Sequence, residues 1–198
     1  MISFSRIDGT EPYSLFQDYY FEAERKKQNN IEAIAISSYQ KDIEEVDSRF
    51  VNLKYIEENR WFFYTNYNSP KAKQFAQSEK ISALIFWNSI NTQIRIKAKI
   101  EKQSHNLNQK YFENRNPKKN ALAISSRQSR SIESFERIVK NFENTLKNAD
   151  LAECPAYWGG YYFIPYYFEF WEGNENRLNK RIAFEKNGHR WKESLKQP

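Results

Sequence analysis

The sequence has one cysteine, Cys154, in 198 residues. Without a second thiol no intramolecular disulfide can form, and a cysteine-based metal site is excluded. Glycine is scarce, at five residues, which argues against a glycine-rich phosphate loop. The two histidines, His105 and His189, are far apart and lack spaced carboxylates or thiols. That removes the usual zinc patterns and a serine hydrolase built on a histidine base. No run approaches the ~18 apolar residues of a membrane-spanning helix, and mean hydropathy is −0.90. The first residues, MISFSRIDGTEPY, hold no apolar signal stretch. These absences predict a cytoplasmic protein with no metal and no membrane partner.

What the chain does have is aromatic and basic. Aromatic residues make up 17%, which predicts a core built largely from Phe, Tyr and Trp. The length suits one domain, residues 1–198, with a sizeable core. The net charge of +6 fits solubility, a phosphate-bearing ligand or nucleic acid. Lys and Arg are spread among acidic residues without a dense block, so a nucleic-acid-binding barrel ranks last.

Periodicity predicts a helix from Pro12 to about Lys27, with Leu15, Phe16, Tyr19, Tyr20 and Ala23 at three- and four-residue spacing. Strands follow at Ile31–Tyr39, Ser48–Ile56 and Trp61–Tyr67, the first two separated by the polar turn KDIEEVD. Pro70–Gln77 reads as a short helix, and Ser82–Asn88 and Thr92–Gln103 as two more strands. The middle turns helical at Leu107–Arg115, around Asn120–Ser126 and at Ser131–Ala149. The last helix carries Ile132, Phe135, Ile138, Val139, Phe142 and Leu146 on one stripe. YYFIPYYFEFW is a strand pair or one bent strand around Pro165, and a hairpin around Asn187-Gly188 closes the chain. Short strands at near-regular spacing indicate a barrel or sandwich.

The segment EFWEGNENRLNKR, Glu169 to Arg181, turns through Gly173 and then offers Arg177, Asn179 and Arg181 at alternate positions. If it is extended there, all three share one face. Two guanidiniums and an amide together suit an anion or a flat polar ring. SRFVNLK, FFYTNYNSPK, TQIRI, YFENRNPKK and SSRQSR add cations, hydroxyls and amides in a fixed order along the chain.

Together these segments resemble the pyridoxamine 5'-phosphate oxidase family, from about Glu11 to Pro198. The resemblance implies a mainly β fold with flanking α-helices, an FMN-binding split β-barrel. It also implies a homodimer with FMN at the subunit interface. The implied reaction is oxidation of pyridoxamine or pyridoxine 5'-phosphate to pyridoxal 5'-phosphate, with dioxygen reduced to hydrogen peroxide. Two alternatives are an FMN oxidase of the same fold acting on another ring in secondary metabolism, and an FMN- or pyridoxal-phosphate-binding protein with little turnover.

The resemblance assigns residues as well. The strand Arg49, Phe50, Val51, Asn52, Leu53, Lys54 is implied to run along the flavin. Tyr64, Thr65, Lys71, Gln93, Gln128, Ser129, Trp171 and Arg181 complete the FMN set. Lys54, Tyr111, Arg115 and Lys119 are implied to hold the substrate phosphate, and Arg177 and Asn179 to bracket its ring as the catalytic pair. The chain departs from the family pattern at Asn52 for leucine, Pro70 for arginine, Lys119 for serine, Asn179 for histidine and Lys180 for aspartate.

Overall fold

The computed structural model describes residues 1–7 and 9–198. In chain order the strands are β1 (Ser3–Ser5), β2 (Ala33–Gln40), β3 (Glu45–Asn52), β4 (Tyr55–Glu57) and β5 (Arg60–Asn66). They continue with β6 (Lys80–Trp87), β7 (Thr92–Lys102), β8 (Trp158–Glu172), β9 (Lys180–Asn187) and β10 (Arg190–Leu195). The helices are α1 (Tyr13–Arg25), α2 (Pro70–Gln77), α3 (His105–Glu113), α4 (Pro117–Ser125) and α5 (Phe135–Asn148).

The strands run β1-β4-β5-β8-β7-β6-β2-β3, with β9 on β8 and β10 on β9. β3 and β4 lie near opposite ends of that order, yet only Leu53 and Lys54 separate them in the chain. The Leu53 N–H bonds Glu32 on the β2 side and the Lys54 N–H bonds Phe62 on β5. Only a curled sheet allows both, so the sheet closes toward a barrel. The inner face carries Ile34, Ile36, Ile85, Ile94, Ile96, Phe163, Phe168 and Phe170, all fully buried. Helix α1 packs its buried side chains into this core. Its Phe16 ring lies 4.4 Å from Trp61 and 5.5 Å from Trp87.

β8 sets the layout. Its first part, from Trp158 to Phe163, pairs with β5, and its last part, from Tyr167 to Glu172, pairs with β9. β7 follows it along both parts, with a register shift at Lys97/Ala98 opposite Pro165. Proline has no N–H for a ladder, so it suits a bulge where the strand bends. The bent-strand reading is therefore the correct one of the two.

Several boundaries differ from expectation. Ser48–Ile56 is two strands, because the chain crosses from β2 to β5 contacts at Leu53–Lys54. Glu45–Asp47, expected in a turn, pairs with Ser38–Gln40. β1 was not announced by alternation; it pairs in parallel with β4. Helix α5 starts at Phe135 rather than Ser131, and Ser134 caps it by accepting from the Arg137 N–H at 3.3 Å. Its apolar stripe is not core, since no α5 residue is buried and Phe135 is 72% exposed. Among the described residues, no helix is long and apolar enough to cross a membrane.

Candidate active site

An anion cradle forms where β2, β3 and β5 meet helix α2. Arg49, on β3, donates to the Ser38 hydroxyl at 2.6 Å, to Gln74 Oε1 at 2.6 Å and to Asp47 at 2.5 Å. Lys71 sits in the first turn of α2 and is 7% exposed. Its Nζ reaches the hydroxyls of Thr65 at 3.2 Å and Ser69 at 3.5 Å. Burial, with the Arg49 charge adding to it, pushes the Lys71 ammonium down to about 8; Asp47 opposes this. Thr65 in turn donates to Gln128 Oε1 at 3.1 Å, and the Asn66 N–H uses the same oxygen. Ser129 follows in a left-handed conformation. Pro70, where an arginine was lost, opens α2 at its first position and costs no backbone hydrogen bond there.

Beside the cradle stands a stack of rings. Tyr64 and Tyr111 lie parallel at 3.7 Å, and Trp158 stacks on Tyr64 at 5.1 Å. The Arg115 guanidinium covers Trp158 at 4.9 Å. Tyr111 is on α3, but the helix ends at Glu113, short of the Arg115 end expected from the sequence, so Arg115 lies beyond it. Arg115 is fixed instead by the Lys119 carbonyl at 2.8 Å and by Asn120 Oδ1 at 3.1 Å. Burial lowers the Lys54 pKa, and the charges of Lys119 and Arg115 lower it further, against Glu32. A pocket of about 210 Å³ is lined by Tyr64, Thr65, Gln128, Trp158, Arg115 and Lys119. It joins residues assigned to cofactor with residues assigned to substrate.

The rest of the expected set is elsewhere. Phe86, Gln93, Trp171 and Arg181 form one cross-strand row over β6, β7, β8 and β9. Phe50 and Asn52 are exposed on β3, whereas the Val51 and Leu53 side chains are in the core. The two core side chains fix the strand and leave only their backbone for a ligand.

The segment after Gly173 is not extended, which corrects the conditional alternation. Asn174 Oδ1 accepts from the Asn176 N–H at 2.9 Å, and Asn179 Oδ1 accepts from the Asn174 N–H at 3.0 Å. Arg177 has φ +60°, and β9 begins only at Lys180. Asn-Glu-Asn after a glycine is itself a turn signal, because asparagine side chains bond nearby backbone N–H groups.

Four contributors escaped the sequence reading. Ser38 and Gln74 are buried ligands of Arg49. Trp158 is the base of the ring stack. Glu169 is 3% exposed and accepts from Arg181, Arg95 and Tyr167. For Gln74 the spacing held a clue, since it is three residues after Lys71 and hence on the same helical face.

Comparison with known proteins gives the family of the chain. Residues 158–198 match the pyridoxine 5'-phosphate oxidase C-terminal dimerisation region. A pyridoxine/pyridoxamine 5'-phosphate oxidase of Hydrogenovibrio crunogenus is 35% identical over 187 residues, covering 92% of this chain and 86% of that protein. The chain belongs to the pyridoxine/pyridoxamine 5'-phosphate oxidase family. The fold agrees. PhzG from Burkholderia lata, solved with tetrahydrophenazine-1-carboxylic acid, superposes with a TM-score of 0.89 at 24% identity, covering 95% of this chain and 93% of its own. A pyridoxamine 5'-phosphate oxidase-related, FMN binding protein from Nostoc punctiforme gives 0.79 at 14%, covering 96% and 99%. The likeness to the FMN binding protein shows the fold class, a mainly β split barrel with flanking helices.

The residues present fit FMN. A buried lysine in the first turn of α2 lies near a half-buried arginine, and one carboxylate, Asp47, pairs with that arginine. Such a donor set is short of negative charge, as a phosphate site should be.

Proposed function

We propose that this family member is an FMN-dependent oxidase of pyridoxamine 5'-phosphate or pyridoxine 5'-phosphate. The products are pyridoxal 5'-phosphate and hydrogen peroxide. The observation that carries the reading is the small pocket that joins Arg115 and Lys119 to Tyr64, Thr65 and Gln128. Lys54 lies close enough to both cations to feel their charge. Two cations lining one pocket, with Lys54 within reach of their charge, favour a dianionic phosphate over a single carboxylate.

In this reading Arg49, Lys71, Thr65 and Gln128 hold the FMN phosphate end, with Ser129 beside them. Lys54, Arg115 and Lys119 hold the substrate phosphate, with Tyr111 packed against Tyr64 beneath it. When bound, FMN supplies the acceptor for the hydride leaving C4' and passes the electrons to dioxygen. The chain binds and orients; Arg177 covers the substrate ring and Asn179 fixes the loop that presents it. Loss of hydride and a proton from the amine leaves an imine, and water releases ammonia and the aldehyde. The chain works as one domain and as a homodimer. Thr65 faces Gly159 near the start of β8, and Gln93 faces Trp171 near its end. Those positions are up to roughly 40 Å apart along the strand, a separation that favours a flavin site drawn from two chains. The dimerisation region matched by residues 158–198 supports the pairing.

Asn179 favours a second reading, an oxidase of the same fold acting on a different ring. Its amide oxygen already serves the Asn174 N–H, and an amide cannot carry a proton near neutral pH. The test is anaerobic titration of the FMN-loaded protein with pyridoxamine 5'-phosphate, following flavin absorbance. Bleaching, then pyridoxal phosphate and peroxide on admitting air, is expected. A flavin spectrum unchanged by this substrate sinks the assignment and leaves the second reading or a non-turning-over binding protein.

A further inference from the structure

Glu169 is a nearly buried carboxylate that the reaction above does not use. Burial works against its charge, yet hydrogen bonds from Tyr167 and Arg181, with the Arg95 charge, hold it below the ordinary carboxylate range. Its two oxygens have separate work. Oε1 takes two bonds from Arg181, from Nε at 3.1 Å and Nη2 at 2.7 Å. Oε2 takes Arg95 at 3.0 Å and the Tyr167 hydroxyl at 2.7 Å. The third Arg181 nitrogen, Nη1, donates to the carbonyl of Gln197 at 2.7 Å. Just before it, the Lys196 N–H bonds the Arg181 carbonyl at 2.9 Å. All three guanidinium nitrogens of Arg181 are therefore anchored by this chain. Two nitrogens on one oxygen fix the plane of the group, and the tail fixes its edge.

Arg181 lies across from Trp171, in the row that also holds Gln93. We propose that Glu169 and the C-terminal tail are positioning elements for Arg181, setting its guanidinium plane for the flavin. This rests on the reading that the Gln93–Trp171–Arg181 row faces FMN. It assigns function to residues that touch no ligand, among them Gln197, whose carbonyl holds the Arg181 Nη1.

The test is a double-mutant cycle on FMN affinity, read by quenching of flavin fluorescence as apoprotein is titrated with FMN. E169Q retains shape but places an amide N–H2 against Arg95 or Arg181. In the wild-type background it is expected to weaken FMN on the order of 10- to 100-fold, the usual size for a lost charge-assisted bond. In an R181A background it is expected to have no further effect. Deleting Gln197 and Pro198 should follow the same pattern with a smaller loss. The flavin absorption envelope of the loaded protein should shift in E169Q, whereas a purely structural defect lowers Tm alone.

Equal losses in both backgrounds overturn the proposal, as does unchanged FMN affinity in E169Q. Normal FMN binding by R181A alone overturns it by removing Arg181 from the site. Failure of the wild-type chain to bind FMN overturns the cofactor reading beneath it. If E169Q does not fold, Y167F and the tail deletion carry the same cycle. Parallel losses for them in the R181A background overturn the proposal equally.

Discussion

Substitution of Lys71 by methionine separates the cost of the cradle from its use. Lys71 is 7% exposed, and burial with Arg49 nearby brings its pKa down to about 8. An unfolded lysine titrates near 10.4. Below pH 8 both states are protonated, and the folded chain carries the whole cost of a buried ammonium. Each pKa unit is worth about 1.4 kcal/mol, so that cost is about 3 kcal/mol. Between pH 8 and about 10.4 the unfolded state holds more protons, and stability rises with pH. FMN-free Lys71→Met is thus expected to be more stable than the wild type at pH 7, by up to about 3 kcal/mol. The gain should shrink toward pH 10. FMN binding should move the opposite way, because a phosphate dianion needs the ammonium. In the wild type, affinity should hold from pH 7 to 8 and then weaken by up to about tenfold per pH unit as Lys71 loses its proton. Urea melts of the FMN-free protein at pH 7 and 9.5, with FMN titrations at the same pH values, measure both effects. A methionine variant that is less stable at pH 7 and binds FMN normally would refute the reasoning.

Three further outcomes follow from the same geometry. Arg115→Ala should raise KM for the phosphorylated substrate by roughly 10- to 100-fold, and Lys119→Ser by only about two- to fivefold, because Lys119 is exposed; steady-state kinetics decide. Arg177→Ala should lose turnover while the purified protein keeps its yellow FMN, and normal turnover would put the substrate ring beyond the reach of the Arg177 loop. Asn120 is 1% exposed, donates to the Phe112 and Leu151 carbonyls and accepts from Arg115. Asn120→Ala should therefore cost about 2–3 kcal/mol, or about 5–10 °C in Tm, read by thermal melts.

Much of the fold is legible because one face of most strands is buried. β6 and β7 alternate buried and exposed residues almost without a break, and Pro70 marks the start of α2. Legibility fails where tertiary contacts override the local pattern. SRFVNLKYI looks continuous, yet the chain changes sheet partners at Leu53–Lys54. The α5 stripe looks like core, but its neighbours within this chain do not cover it. In the site, charged residues at motif positions announced themselves, whereas Ser38, Gln74 and Glu169 did not. Their importance comes from burial beside an arginine, which no local spacing encodes. The turn at Arg177 was readable from its asparagines and was masked by the regular spacing of three polar residues.

The proposed cofactor residues fall in two places on one chain, and this has a sharper consequence. The cradle of Arg49 and Lys71 and the row of Gln93, Trp171 and Arg181 are joined by no hydrogen bond or ring contact among the described residues. The sheet face around that row exposes Phe86 at 52% and Leu84 at 39%, and Phe50 on β3 is 74% exposed. Apolar side chains grouped beside a polar row suit burial against another protein surface. If that surface is a second copy, each flavin takes its cradle from one subunit and its sheet face from the other. Lys71→Met and Arg181→Ala would then each weaken both sites of their own homodimers. A mixed dimer would differ. It would hold one site with both defects and one with neither. After random exchange of equal amounts, half the dimers are mixed and half of their sites are intact, so about a quarter of all sites should regain wild-type FMN affinity. Flavin retained after gel filtration of the exchanged mixture measures that fraction. If both halves of each site came from one chain, every site would carry one defect and mixing would restore nothing.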